Sequence, residues 1–180
     1  FISFLPMLPK QLLLLNLLSD FPMMAIAFDR VHTSEVTRPQ RYEFRSLYII
    51  FVTLGLVSTV FDFMWFGLFF REGAEVLQTN WFIASVITEI LLLFSIRSML
   101  PIEKSGWPAP IILWLSGFAF ISTLLIPMVP ITARYFEFAQ PSFHDLFLIV
   151  SLACVYFVVS EAVKRPLARF LKLHENEGAR

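Results

Sequence analysis

The stretch that decides the reading is Gln11–Asp29, QLLLLNLLSDFPMMAIAFD. It is almost wholly apolar and about as long as a helix must be to cross a bilayer. Its polar residues are gathered in one turn: Asn16, Ser19 and Asp20 stand at i, i+3 and i+4, which puts them on one helical face. A charge in hydrocarbon costs roughly 2.5–3.5 kcal/mol at mid-depth, so it persists where it is paired, hydrated or used. These three side chains offer an amide oxygen, a hydroxyl and a carboxylate, the all-oxygen set that Mg2+, Ca2+ or Na+ prefers. Pro22 has no N–H and leaves the Leu18 carbonyl without its helical donor, so the helix is expected to open beside the carboxylate. The plainer reading makes Asn16 and Ser19 interhelical hydrogen-bond glue, with Asp20 paired elsewhere.

Working outward, four more runs have spanning length: Leu47–Phe70, Trp81 to about Ile96, Ile111–Val129, and about Asp145–Val163. The first span is assigned to Gln11 through Phe28. Before it, the apolar stub Phe1–Leu8, with Pro6 and with Pro9 just after it, reads as the tail of an earlier span and a tight turn. The expected fold is all-α: a polytopic membrane helix bundle of five transmembrane helices plus the end of a preceding one, one membrane domain over 1–180. Composition agrees. The chain is 57% hydrophobic and 16% charged, where soluble domains are about a quarter charged. That disfavours a soluble enzyme and a disordered tail. A formal net charge of zero speaks against nucleic acid as a partner. A single cysteine, Cys154, gives no disulfide framework, and scattered histidines give no zinc cluster or haem clamp. The chain begins at Phe1 inside an apolar segment, with no secretory leader visible, and reads as part of something longer.

Charge sorting sets the expected orientation. Eleven of the fourteen basic residues fall on one side: Arg30, Arg38, Arg41 and Arg45 after the first span, Arg97 and Lys104 after the third, and five from Lys164 to Arg180. By the positive-inside rule that side is cytoplasmic, which predicts a multi-pass protein of the inner (plasma) membrane with a cytoplasmic C-terminus. Trp81, Trp107 and Tyr135 are expected near the interfaces, and the basic tail from Lys164 to Lys172 is a cytoplasmic anchor against the lipid bilayer.

Two further acids lie inside spans. Glu89 has Ser85 at i−4 and Thr88 beside it, and reads either as an ion or proton site or as a neutral glutamate hydrogen-bonded to a neighbouring helix. Asp62 shares a face with Gly55, Ser58 and Thr59, a small-residue stripe that suits close helix approach, so a structural role is expected there. The aromatic run Phe61–Phe70 is expected to face lipid. Phosphate-binding, nucleophile-elbow and metallohydrolase signatures are absent from the sequence.

From Phe4 to Asp29 the chain resembles the stretch joining the fifth and sixth membrane helices of P-type cation-transporting ATPases, most closely the bacterial magnesium-translocating branch. The N-x-x-S-D core (Asn16, Ser19, Asp20) matches the family's sixth-helix ion motif. The likeness continues in order: RPQRY (Arg38–Tyr42) resembles the basic loop after that helix, GLVSTVFD (Gly55–Asp62) the seventh helix, and WFIASVITEI (Trp81–Ile90) the eighth. The resemblance implies the last five helices of a ten-helix pump, with Asn16 and Asp20 as ion ligands, Ser19 assisting and Glu89 contributing or neutralising. Mg2+ is the implied ion. Some magnesium pumps carry an amide where this chain has Glu89, which keeps Ca2+ in view. The D-K-T-G phosphorylation motif is not in these 180 residues, so ATP is implied only through cytoplasmic domains of the same pump, its expected partners. A calcium or proton pump of the same superfamily, or a stand-alone five-span scaffold or assembly protein, are the alternatives.

Overall fold

In a computed structural model of the chain, residues 4–29, 44–97 and 106–177 are described, the side chains of 44–47 and 165–177 excepted. Every regular element among them is helical. α1 (Pro9–Met24) tightens into a 3-10 turn over Ala25–Phe28, α2 spans Phe44–Phe69, and α3 spans Ala74–Ile96. α4 (Pro110–Met128), the short α5 (Pro130–Phe136) and the long α6 (Phe143–Glu177) complete the order. Five stretches are long and apolar enough to cross a membrane: Pro9–Phe28, Tyr48–Glu72, Ala74–Ile96, Pro110–Met128 and Phe143–Lys164. This is a multi-pass helical membrane protein, as the apolar runs predict.

The helix ends follow from local chemistry. α1, α4 and α5 each start with proline, whose missing N–H falls where no intrahelical partner exists. At the head of α1 the Gln11 amide oxygen accepts the Leu8 N–H at 3.0 Å, and its NH2 donates to the Phe136 carbonyl at 2.9 Å, tying α1 to the end of α5. α3 begins after Gly73, whose φ of 104° suits only glycine. α5 stops where Glu137 turns left-handed and the Phe138 N–H reaches back to Ala133 O at 2.8 Å. Ser142 and Asp145 exchange reciprocal hydrogen bonds at the head of α6, a capping box.

α3 is the central helix, packing against α1, α2, α4 and α6. Lipid tails are as apolar as leucine, so the hydrophobic effect does not drive such packing; dispersion and hydrogen bonds do. The core accordingly pairs small residues with large ones: Ala84 (α3), Ala119 (α4) and Ala153 (α6) are buried alongside Trp65 and Phe69 of α2 and Phe82 of α3.

The structure corrects several sequence expectations. α3 starts at Ala74, not near Trp81. The polar run Gln78–Asn80 hid its first two turns, and that run is buried: Gln78 donates to Leu5 O at 2.7 Å, and Thr79 accepts the Ala139 N–H at 2.8 Å. Trp81 is therefore turned into the bundle, edge-on to Phe66, instead of forming a belt; Trp107 and Tyr135 are exposed. α1 stays helical through Pro22 and tightens only beyond Met24, so the expected opening beside Asp20 is not present. The aromatic run of α2 is split by the helical period: Phe61, Trp65 and Phe69 are buried, while Phe63 and Leu68 face outward. Of the small-residue stripe only Ser58 meets another helix. Gly55 and Thr59 are exposed, and a Cβ added at Gly55 would meet nothing within 4 Å.

Candidate ion site

At 3.6 residues per turn, Ser19 and Asp20 point about 100° apart around the axis of α1, with Asn16 between them. The bundle resolves that arc. Ser19 is buried, while Asn16 and Asp20 are both exposed, Asn16 lining a cavity and Asp20 lying outside it. The one-face pattern thus becomes three environments. The Ser19 hydroxyl donates to Leu15 O at 3.0 Å within its own helix, and Ser19 lies close to the Glu89 carboxylate.

The cavity holds about 560 Å³ and lies between α1, α2, α3 and α6. Each helix contributes a polar group: Asn16 from α1, Asp62 from α2, Glu89 from α3 and Tyr156 from α6. Ser85 and Thr88 share the α3 wall with Glu89: Ser85 is four residues before Glu89 and three before Thr88, so it lies on a face with each. The Thr88 hydroxyl is returned to its own backbone at Ala84 O, 2.9 Å. Ser58, expected beside Asp62, instead shares a hydrogen bond of 2.9 Å with the Tyr156 hydroxyl, which joins α2 to α6. Asp62 lies close to the Trp81 indole, and both line the cavity. Asp20 does not line the cavity.

Of the four residues that the sequence singles out, the structure brings Asn16 and Glu89 to one cavity, sets Ser19 against Glu89, and leaves Asp20 on the adjoining outer surface. Asp62, read from sequence as structural, is on the cavity wall. Tyr156 was not singled out at all; a lone phenol inside the apolar run of α6 was the available signal. The polar groups on this wall are predominantly oxygen donors, suited to a proton or a hard cation. Among the described residues no three His, Cys, Asp or Glu side chains converge as a complete metal set.

Two buried ion pairs lie toward the opposite end of α3 from Gln78. Arg97 bonds Asp29 at 2.9 Å, with side-chain exposures of 2% and 9%. Glu161 accepts the Ser95 hydroxyl at 2.6 Å and lies 3.6 Å from Lys164, whose ammonium also donates to Ser95 O. Arg97 and Lys164 were counted among the basic residues of the cytoplasmic side; both are buried against partners. Asp29 and Glu161 escaped the sequence reading because each sits at the end of an apolar run. The loop Arg38–Tyr42, with Arg30 and Lys104, lies outside the described residues.

Comparison with known proteins follows the same lines. The family described as the C-terminus of cation transporting ATPases matches residues 4–165. A magnesium-transporting P-type ATPase of Escherichia coli K12 is 29% identical over 174 residues, covering 91% of this chain and 19% of that protein. A protein of the same description from Salmonella typhimurium 14028s is 27% identical over the same length. A putative cation-transporting ATPase of Methanocaldococcus jannaschii is 27% identical over 173 residues, 93% of this chain and 20% of its own. The chain spans about a fifth of the length of the curated relatives it matches.

Proposed function

This chain belongs to the family of cation-transporting ATPase C-termini, and on that premise we propose that it is the membrane domain of an ATP-driven P-type pump that moves Mg2+. The observation that carries the reading is the cavity to which α1, α2 and α3 bring Asn16, Asp62 and Glu89. In the proposal Asn16 ligates the ion from the cavity wall and Asp20 from beside the cavity, Ser19 assists, and Glu89 and Asp62 supply or balance negative charge. Mg2+ sheds its water reluctantly and is held by one or two carboxylates with several waters retained. Six waters at about 30 Å³ each need roughly 180 Å³, which the cavity of about 560 Å³ accommodates. The remaining ligands are assigned to other helices of the same pump. ATP is assigned to cytoplasmic domains outside these residues.

The same reading places the protein in the inner (plasma) membrane with its C-terminus in the cytoplasm, supported by the eleven basic residues on that side. The test is ATP-driven uptake by the full-length pump in proteoliposomes loaded with a fluorescent Mg2+ indicator. Mg2+ should accumulate, and Asp20→Asn should remove accumulation while the protein still inserts and purifies. Accumulation of Ca2+ without Mg2+ would reassign the ion to calcium, and acidification without either would reassign it to protons. Normal Mg2+ uptake by Asp20→Asn would return Asp20 to a structural role.

A further inference from the structure

Three contacts along α1 and α3 fall in parallel order. Gln78 reaches Leu5 O near the start of both helices, Asn16 and Glu89 face one cavity in the middle with Ser19 close by, and Asp29 meets Arg97 at the end. Nine residues separate Asp20 from Asp29, and eight separate Glu89 from Arg97. At the rise of an α-helix, with a 3-10 turn closing α1, the two segments run about 15 Å and about 12 Å. The ion-pair end and the site end of the two helices are therefore matched to within a turn.

Asp29 is more than one half of an ion pair. Its Oδ2 accepts from Arg97 Nη1 at 2.9 Å, while its Oδ1 accepts the Ala109 N–H at 2.8 Å, at the residue that opens α4. Arg97 closes α3 and also donates to Gly106 O. One carboxylate thus joins the end of α1, the end of α3 and the start of α4. The apolar groups beneath it come from the same three ends: Ala25, Leu93, Ala109 and Ile112 form a buried cluster of their own. A buried ion pair is weak evidence for stability, since desolvation offsets its attraction, but fixing a register is its best-attested use.

We propose that the Asp29–Arg97 pair sets the axial register of α1 against α3 and so holds Ser19 and Asp20 level with Glu89. Both are positioning residues, acting on the ion through the helices they join. A slip of one turn would displace one ligand set from the other by about 5.4 Å, more than the full length of a cation–oxygen bond. The inference rests on the ion-site reading above, so its test carries a separate control.

In the full-length pump, Asp29→Asn keeps an acceptor for the Ala109 N–H and removes only the charge that holds Arg97. The half-saturating Mg2+ concentration for uptake should rise about tenfold, within the range seen for coupled buried groups. Maximal rate should stay within about twofold, because nothing that contacts the ion is altered. The exchanged pair Asp29→Arg with Arg97→Asp should recover part of the affinity, and Arg97→Lys, which keeps the charge but not the forked geometry, should shift it by less than Asp29→Asn. An unchanged half-saturation in Asp29→Asn, or a fall in maximal rate alone, overturns the proposal. Should Asp29→Asn fail to purify, Arg97→Lys carries the test, and wild-type half-saturation there overturns it equally. Uptake that survives Asp20→Asn would refute Asp20 as a ligand and with it the need to hold Asp20 level with Glu89. Uptake lost in Asp20→Asn but unaltered in affinity by Asp29→Asn refutes the register alone.

Discussion

Replacing Glu161 by alanine removes one partner from a network in which almost nothing touches solvent. The Glu161 and Lys164 side chains are 8% and 7% exposed, and Ser95 is fully buried. The substitution deletes the 2.6 Å hydrogen bond from Ser95 Oγ and the 3.6 Å approach of Lys164, and leaves an ammonium whose carboxylate has gone. Breaking a buried pair from one side costs about 3–5 kcal/mol. The lower end applies here, because the lysine stem can extend toward the interface when its partner is lost. At roughly 2–4 °C per kcal/mol for a unit of this size, about 3 kcal/mol corresponds to a fall of roughly 10 °C. Glu161→Gln keeps an acceptor for Ser95 and should lose about half as much. Replacing both charges, Glu161→Leu with Lys164→Leu, should return to within about 1 kcal/mol of the parent, because an apolar pair carries no desolvation cost. The assay is thermal loss of the monodisperse peak of full-length protein in detergent. A Glu161→Ala midpoint within about 2 °C of wild type, or a double variant less stable than the single, would show that the network is not what joins α3 to α6.

Two other substitutions separate packing from ion handling. Asp62→Asn retains an acceptor for the Trp81 indole and removes a charge from the cavity wall; it should weaken Mg2+ affinity several-fold with the detergent midpoint unchanged, as a titration of uptake would reveal. Pro22→Ala restores the N–H that the Leu18 carbonyl lacks and should stabilise α1 by up to about 3 kcal/mol, while impairing uptake if that carbonyl takes part in the site. Unaltered uptake in a stabilised Pro22→Ala protein would confine Pro22 to helix shape.

Much of the architecture was legible because membrane physics leaves few options. A run such as Ile111–Val129 has only one economical conformation in hydrocarbon, since a helix alone satisfies its backbone within the segment. Boundaries were less legible where polar residues are buried instead of exposed. Gln78 and Thr79 look like loop, yet they lie inside α3 because Leu5 O and the Ala139 N–H wait for them. α5 was not anticipated, as seven residues cannot announce themselves beside a longer apolar run.

The candidate site divides in the same way. Spacing alone put Asn16, Ser19 and Asp20 within one turn, and the rarity of charge in hydrocarbon singled out Asp20, Asp62 and Glu89. A helical period fixes the angle between two side chains of one helix, which is a local quantity. It leaves open which angle faces a neighbour, and so could not say that Ser19 turns inward to Glu89 while Asp20 turns out. Nor could it bring Asp62 from α2 and Tyr156 from α6 to the cavity that Asn16 and Glu89 share. Helix, span and polar inventory are therefore properties of the sequence. Which polar groups meet was decided by the packing of α1, α2 and α6 on α3, because bringing together residues 27 to 140 positions apart depends on interhelical register, and no local pattern encodes that.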